Sequence, residues 1–257
     1  MKIDNFITSV NNNNIYSSFI ELVSIDYMQN FNSKLHIAFI DYTEDEVEQY
    51  KDICIPHMFN TLDNVDSGVQ AKATRMWLAS EIEGNNMIVD IDMFILDKQF
   101  VIDEVSKIPE DKVFAWAWNA YSEETTNTKW LMPFSTANNN VWKSIVNPDD
   151  LGYVDLFKSW SNIRYYDDKE DVTNQFLNFS DESLLRGLVF KTKSNDTISY
   201  VTRDDYVNFS AQKRMDRARW YIDHDKLHAN YYIDCWSKRP LNVNEMKPVL
   251  NYLNIEV

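Results

Sequence analysis

Apolar positions along the chain fall into short clusters that alternate between strand-like and helix-like spacing. Residues 5–10, with Phe6, Ile7 and Val10 in FITSV, predict a short strand. The Asn11–Asn14 run that follows reads as a loop. Ile15, Phe19, Leu22, Val23, Ile25, Tyr27 and Met28 then recur at helical spacing, predicting a helix over 15–31. Leu35–Ile40 is a compact apolar run ending at Asp41 and predicts a buried strand. Thr43 with Glu46 three residues on has the form of a capping box, so a helix begins there. Strand, helix, strand, helix is the opening of a parallel α/β sheet.

Further along, Gly68–Ile82 predicts a helix and Gly84–Asn86 a turn. Met87–Phe94 (MIVDIDMF) is the clearest strand, and Val113–Tyr121 predicts a second, aromatic one. Asn138–Val146 resembles a short helix, and Ser180 is an N-cap for a helix running through Leu184, Leu185, Leu188 and Val189. The stretch 217–228 is mixed, Tyr231–Ile233 reads as a last strand, and 244–253 as a helix despite Pro248. With no internal repeat and no Pro/Ser-rich linker, residues 1–257 are expected to form one domain.

Composition narrows the chemistry. Of 257 residues, 44% are hydrophobic and 14% aromatic, enough for a substantial core without disulfides. Only four glycines occur, and neither GxGxxG nor GxxxxGK[ST] is present, so phosphate sites built on glycine-rich loops lose their sequence basis. The net charge of −15 repels nucleic-acid backbones, with Lys213, Arg214, Arg217 and Arg219 as the one local basic segment. Cys54 and Cys235 are too few for a zinc ribbon and read as buried thiols in a reducing compartment. No signal-peptide pattern and no long apolar stretch stands in the sequence, which makes the cytoplasm the expected location.

Within the apolar run 87–95, Asp90 and Asp92 are the exceptions. On a strand, residues i and i+2 face the same side, so the two carboxylates are expected to converge. Two such charges, placed close together and out of water, call for a proton or a cation. A hard divalent cation with oxygen ligands meets that need. In parallel sheets, ligands collect at the carboxyl ends of strands, where this pair is expected.

The series of two strand–helix units, then Lys72-Ala73-Thr74-Arg75, then MIVDIDMF resembles the donor-binding half of the GT-A fold glycosyltransferases, bacterial or viral. The resemblance covers about residues 3–100 well and the rest loosely, dividing the chain into a donor half (1–100) and an acceptor half (101–257). It implies a GT-A-like, Rossmann-related α/β fold with a mostly parallel central sheet flanked by helices. It also implies Mn²⁺ or Mg²⁺ held by Asp90 and Asp92 against the diphosphate of a nucleotide sugar, with Asp90 near the ribose. By the same likeness, Ser9, Asn11 and Asp41 are candidates for base and ribose contacts. Lys72 and Arg75, three apart on one helix face, are candidates for the diphosphate or base.

In that family an acid at a helix start beside the acceptor acts as general base in inverting enzymes, which makes Asp181 or Glu182 the catalytic candidates. A helix cap is the other reading of both residues. The segment Asp234–Pro240 resembles the family's C-terminal end, implying diphosphate contacts from Lys238 and Arg239. It lacks the family's His, so the third metal ligand is left among Asp234, His224 and His228. Trp116, Trp118, Tyr121, Trp130 and Trp142 read as core, with an acceptor groove as the alternative. The acceptor is expected to be a glycan, a lipid-linked molecule or a small molecule, with a modified DNA base as a variant that the negative charge disfavours. A nucleotidyltransferase and a catalytically silent binding protein are the other functional classes.

Overall fold

The computed structural model describes residues 1–116, 132–161, 184–185, 187–188, 198–201, 214–215, 217 and 220–256. The chain begins with strand β1 (Asn5–Asn11), a short helix α1 (Asn14–Ser17) and helix α2 (Ile20–Phe31). Asn32 closes α2 in the left-handed region at φ 50°, a conformation asparagine tolerates at helix ends. The expected single helix over 15–31 is thus two, parted at Ser18 and Phe19. Strand β2 (Leu35–Ile40) leads to α3 (Glu44–Glu48), where the capping box forms: Thr43 Oγ1 accepts from Glu46 N–H, and Glu46 Oε2 accepts from Thr43 N–H.

Strand β3 (Cys54–Phe59) was not foreseen. Pro56 interrupts its apolar pattern, and a proline is tolerated because β3 is an edge strand. Helix α4 (Ser67–Glu81) follows, capped by Asp66, whose side chain accepts from the Gly68 and Val69 N–H groups. The expected turn at 84–86 is a turn only at Gly84 (φ 109°). Asn85 already begins β4 (Asn85–Ile88).

The largest departure lies in the expected 87–94 strand. It is two strands, β4 and β5 (Met93–Ile95), in different sheets. Val89 still donates to the Ile7 carbonyl of β1. The chain then turns, Met93 N–H donating to the Asp90 carbonyl at 3.2 Å. Asp90 and Asp92 therefore occupy a turn at the end of a strand, not alternate positions along one.

Next come α5 (Lys98–Ser106), β6 (Val113–Trp116), β7 (Thr136–Asn138), α6 (Asn139–Val146), α7 (Tyr153–Ser161), β8 (Ile198–Val201) and β9 (Arg214–Met215). Helix α8 (His224–His228), β10 (Asp234–Trp236) and α9 (Val243–Tyr252) end the described chain. The last strand falls three residues beyond the expected Tyr231–Ile233. Pro248 does sit inside α9.

Among the described residues, the main sheet has seven strands in the order β3-β2-β1-β4-β7-β6-β8. Strands β3, β2, β1 and β4 are mutually parallel, β6 and β8 are parallel, and β7 runs antiparallel to β4 and β6. A second sheet, β5-β10-β9, starts where the chain leaves β4. One face of the main sheet buries Phe6, Val10 and Phe39 with α2, α5, α9 and the small sheet. Its other face buries Ile7, Ala38, Ile40 and Ile88 under α4, α6 and α7. Trp142 is fully buried in that second layer and donates from Nε1 to the Asn86 carbonyl at 3.1 Å, so it belongs to the core. The expected mostly parallel sheet flanked by helices is the observed architecture.

Candidate functional site

Parallel pairing brings the carboxyl ends of β1, β2 and β4 to one edge of the sheet. Asn11 pairs with Ile40, so Asp41 follows immediately beside it. Ile7 pairs with Ile88, so Asp90 lies two residues past that point. The amino end of α4 comes to the same edge, where Asn11 Nδ2 donates to Ser67 Oγ at 3.1 Å. Ser9 is half-buried on the α4 face of β1. Asp41 is exposed at φ 64°, its N–H donating to the Phe59 carbonyl and its carbonyl accepting from Asn12 Nδ2.

Arg75 crosses from α4 to the Asp pair. It is 6% exposed, and Nη1 donates to the Val89 carbonyl at 3.0 Å and to Asp90 Oδ1 at 2.5 Å. Lys72, expected on the same face, is exposed.

Asp92 is buried, and its carboxylate is engaged by guanidinium groups. Oδ2 accepts from Arg217 Nη1 at 2.6 Å, and Arg239 Nε lies 2.9 Å from the same oxygen as a second ion-pair partner. Its main-chain carbonyl accepts from Ser237 N–H at 3.0 Å, which ties the end of β10 to the turn. Burial pushes the Asp92 carboxyl up to about 6, the Asp90 charge pushes it the same way, and Arg239 and Arg217 pull it down. Arg239 also hydrogen-bonds the Tyr16 hydroxyl on α1, with Cζ 5.0 Å from that ring's centroid. Arg217 Cζ lies 5.2 Å from the Trp236 centroid.

Behind this layer is a buried polar one. Asp26 of α2 is wholly buried, accepts from Asn30 Nδ2 at 2.7 Å, and is pushed up to about 7, mainly by burial. Its Oδ2 and the buried Tyr27 hydroxyl have no hydrogen-bond partner among the described residues. Burial, with the nearby charges of Asp26, Asp90 and Asp234, holds the Tyr27 hydroxyl well above its ordinary range.

Several of the expected residues make other contacts in the structure. Asp234 is not placed as a metal ligand: it is fully buried and held bidentately by Arg214, Nε to Oδ1 at 2.8 Å and Nη2 to Oδ2 at 2.7 Å. A carboxylate so held inside the protein is an internal ion pair. Lys238 pairs with Glu245 at 3.2 Å. His224 and His228 are exposed on α8, and among the described residues no three His, Cys, Asp or Glu side chains cluster as a metal cage. Asp181, Glu182, Trp118, Tyr121 and Trp130, and the side chain of Trp116, lie outside the described residues. Arg217 and Ser67 complete the site without having been singled out for it. Arg217 carried one signal, its place in the basic segment.

Asp90 and Asp92 offer hard oxygen ligands close enough for the Asp90 charge to raise the cost of charge on Asp92, and cationic groups already lie on Asp92 Oδ2. That set fits a Mg²⁺- or Mn²⁺-type site, which takes one or two carboxylates and completes its shell with substrate phosphates and water.

The arrangement is a mostly parallel sheet with helices on both faces and an acidic turn at the end of its central strand. No family model matches the chain, and no curated protein is similar to it in sequence. Among solved structures it is similar to the glycosyltransferase GlyE of Streptococcus pneumoniae TIGR4, with TM-score 0.53 and 12% identity, over 99% of this chain and 63% of that one. The apo form of that glycosyltransferase gives TM-score 0.52 and 13% identity with the same coverage. The likeness is one of fold, and this chain spans less than two thirds of that protein. Cys54 and Cys235 are both buried free thiols. No helix among the described residues is long and apolar enough to cross a membrane.

Proposed function

We propose that the protein transfers a sugar from a nucleotide-diphosphate donor to an acceptor hydroxyl on a glycan, a lipid-linked molecule or a small molecule. The observation that carries this reading is the Asp90–Asp92 turn, set at the carboxyl end of the central strand of a glycosyltransferase-type sheet. Asn11 and Asp41, at the ends of β1 and β2, border the space where a base and ribose would lie. Asp90 and Asp92 would hold a Mg²⁺ or Mn²⁺ ion, which supplies charge neutralisation to the departing diphosphate.

In the transfer, a bond forms between the acceptor oxygen and the anomeric carbon. The bond from that carbon to the diphosphate oxygen breaks, and its electron pair leaves with the nucleoside diphosphate. The acceptor's proton passes to a base, which for the inverting course we assign to Asp181 or Glu182. Arg75 keeps Asp90 in place, and Arg239, beside Asp92, would supply positive charge to the diphosphate.

A thermal-shift screen of nucleotide sugars, with and without Mn²⁺, tests this reading. A ligand that binds the native state raises the melting temperature. The expected result is a shift with one nucleotide that grows with Mn²⁺ and is lost in Asp92→Asn. No shift with any nucleotide or nucleotide sugar overturns it.

A further inference from the structure

We propose that Arg217 and Arg239 form a cationic latch on Asp92, which is released to the donor's diphosphate when Asp92 takes its metal ion. This rests on the reading of Asp90 and Asp92 as the metal site.

The geometry separates two kinds of ion pair around the acidic turn. Arg75–Asp90 and Arg214–Asp234 involve arginine side chains only 8% and 14% exposed, with a further carbonyl contact in one and a bidentate fork in the other. These are internal pairs, costly to part. Arg217 and Arg239 are 31% and 26% exposed, each paired with Asp92 through one nitrogen, at the rim of a carboxylate that is itself 5% exposed. They can leave toward solvent while Asp92 cannot.

Both guanidinium groups bind the same oxygen, Oδ2. One hydrogen-bonds it and the other lies 2.9 Å away, so two positive groups crowd that oxygen. A cation can use that oxygen only if at least one arginine moves off. Without the arginines, the metal-free site would hold a buried, uncompensated carboxylate next to Asp90. The latch therefore stabilises the empty state and competes with metal.

Each arginine has a second support that remains after release. Arg217 lies over Trp236, and Arg239 lies over Tyr16 and bonds its hydroxyl. A planar guanidinium matches a phosphate's paired oxygens, so a diphosphate arriving beside Asp92 is a ready acceptor for both. The metal and the diphosphate then each favour the same rearrangement: one displaces the arginines, and the other receives them. Their binding is coupled, and by linkage the coupling is equal in both directions.

The test is Mn²⁺ binding measured by electron paramagnetic resonance, without turnover. It is run on the wild type and on Arg217→Gln, Arg239→Gln, the double variant and Asp92→Asn, alone and with uridine, guanosine, cytidine and thymidine diphosphates. Thermal melts confirm folding, and Arg217→Lys and Arg239→Lys serve as variants that keep the charge. In the wild type, one diphosphate should tighten Mn²⁺ by about tenfold or more. The Gln variants should bind Mn²⁺ alone more tightly than wild type, by about three- to tenfold, and lose most of the enhancement. If they bind Mn²⁺ alone no better than wild type while Asp92→Asn abolishes binding, the latch is wrong and the metal site stands. If Asp92→Asn binds Mn²⁺ as wild type does, or the wild type binds none under any condition, the metal reading fails and the latch with it.

Discussion

Arg75 donates from one nitrogen to both the Val89 carbonyl and the Asp90 carboxylate, so a single helix side chain fixes the end of β4 and the first acid of the turn together. Asp90 is thereby positioned from inside the protein, while Asp92 is compensated from the rim by Arg217 and Arg239. The two acids are chemically alike but held by different means, which makes their variants distinguishable.

Removing the inner support should be a stability event. Arg75→Gln strips Asp90 of its charge partner and weakens the hold on the Val89 carbonyl. We expect a loss of about 3 kcal/mol, the scale for breaking a buried pair from one side. Arg75→Lys should recover only part of it, because an ammonium lacks the planar fork. Urea unfolding of both variants checks this, and full stability of Arg75→Gln would count against it.

Asp92→Asn should behave in the opposite way. It removes a buried charge whose carboxyl is already raised to about 6 and leaves Arg217 and Arg239 near solvent. The fold should be retained at neutral pH, while transfer falls by about 10² or more, the usual scale for deleting one electrostatic contact in a transition state. Unchanged turnover with a suitable donor and acceptor would remove Asp92 from the reaction.

Asp234 supplies the contrast. Asp234→Asn and Arg214→Gln should each destabilise the protein, since each leaves half of a buried bidentate pair. Mn²⁺ binding to the folded variants should match wild type. A selective loss of metal affinity in Asp234→Asn, with stability unchanged, would return that residue to the metal shell.

Stability should carry two opposite pH limbs. His36 is lowered to about 4, by burial and then by His57, whose Nε2 is 3.0 Å from its Nδ1; burial lowers His57 too. Neutral imidazoles are therefore favoured in the fold, and their contribution is complete above about pH 6.5 and lost as pH falls through about 4. Asp26, raised to about 7 by burial, favours its protonated form in the fold. Its contribution is complete below about pH 4 and is lost as pH rises through about 7. Unfolding midpoints from pH 4 to 8 should show the acid limb flattened in His36→Gln and the alkaline limb flattened in Asp26→Asn. Parallel curves for wild type and both variants would contradict the burial argument.

The sequence by itself determined the elements whose signals are local. The apolar runs at 6–10 and 35–40 made β1 and β2, Thr43 and Glu46 made the capping box of α3, and the pattern from Gly68 made most of α4. It also singled out Asp90 and Asp92, because acids within an apolar run need compensation wherever they fold. Tertiary structure alone decided what compensates them. Asp92 meets Arg217 from 125 positions away, and Asp234 meets Arg214 across a parallel pair of strands, neither of which has a spacing to read. Nor does periodicity reveal that 87–94 crosses from one sheet to another, since an apolar stretch looks the same whether the strand continues or turns. Strand β3 stayed hidden because its Pro56 is acceptable only at a sheet edge, and an edge exists only once the sheet is assembled.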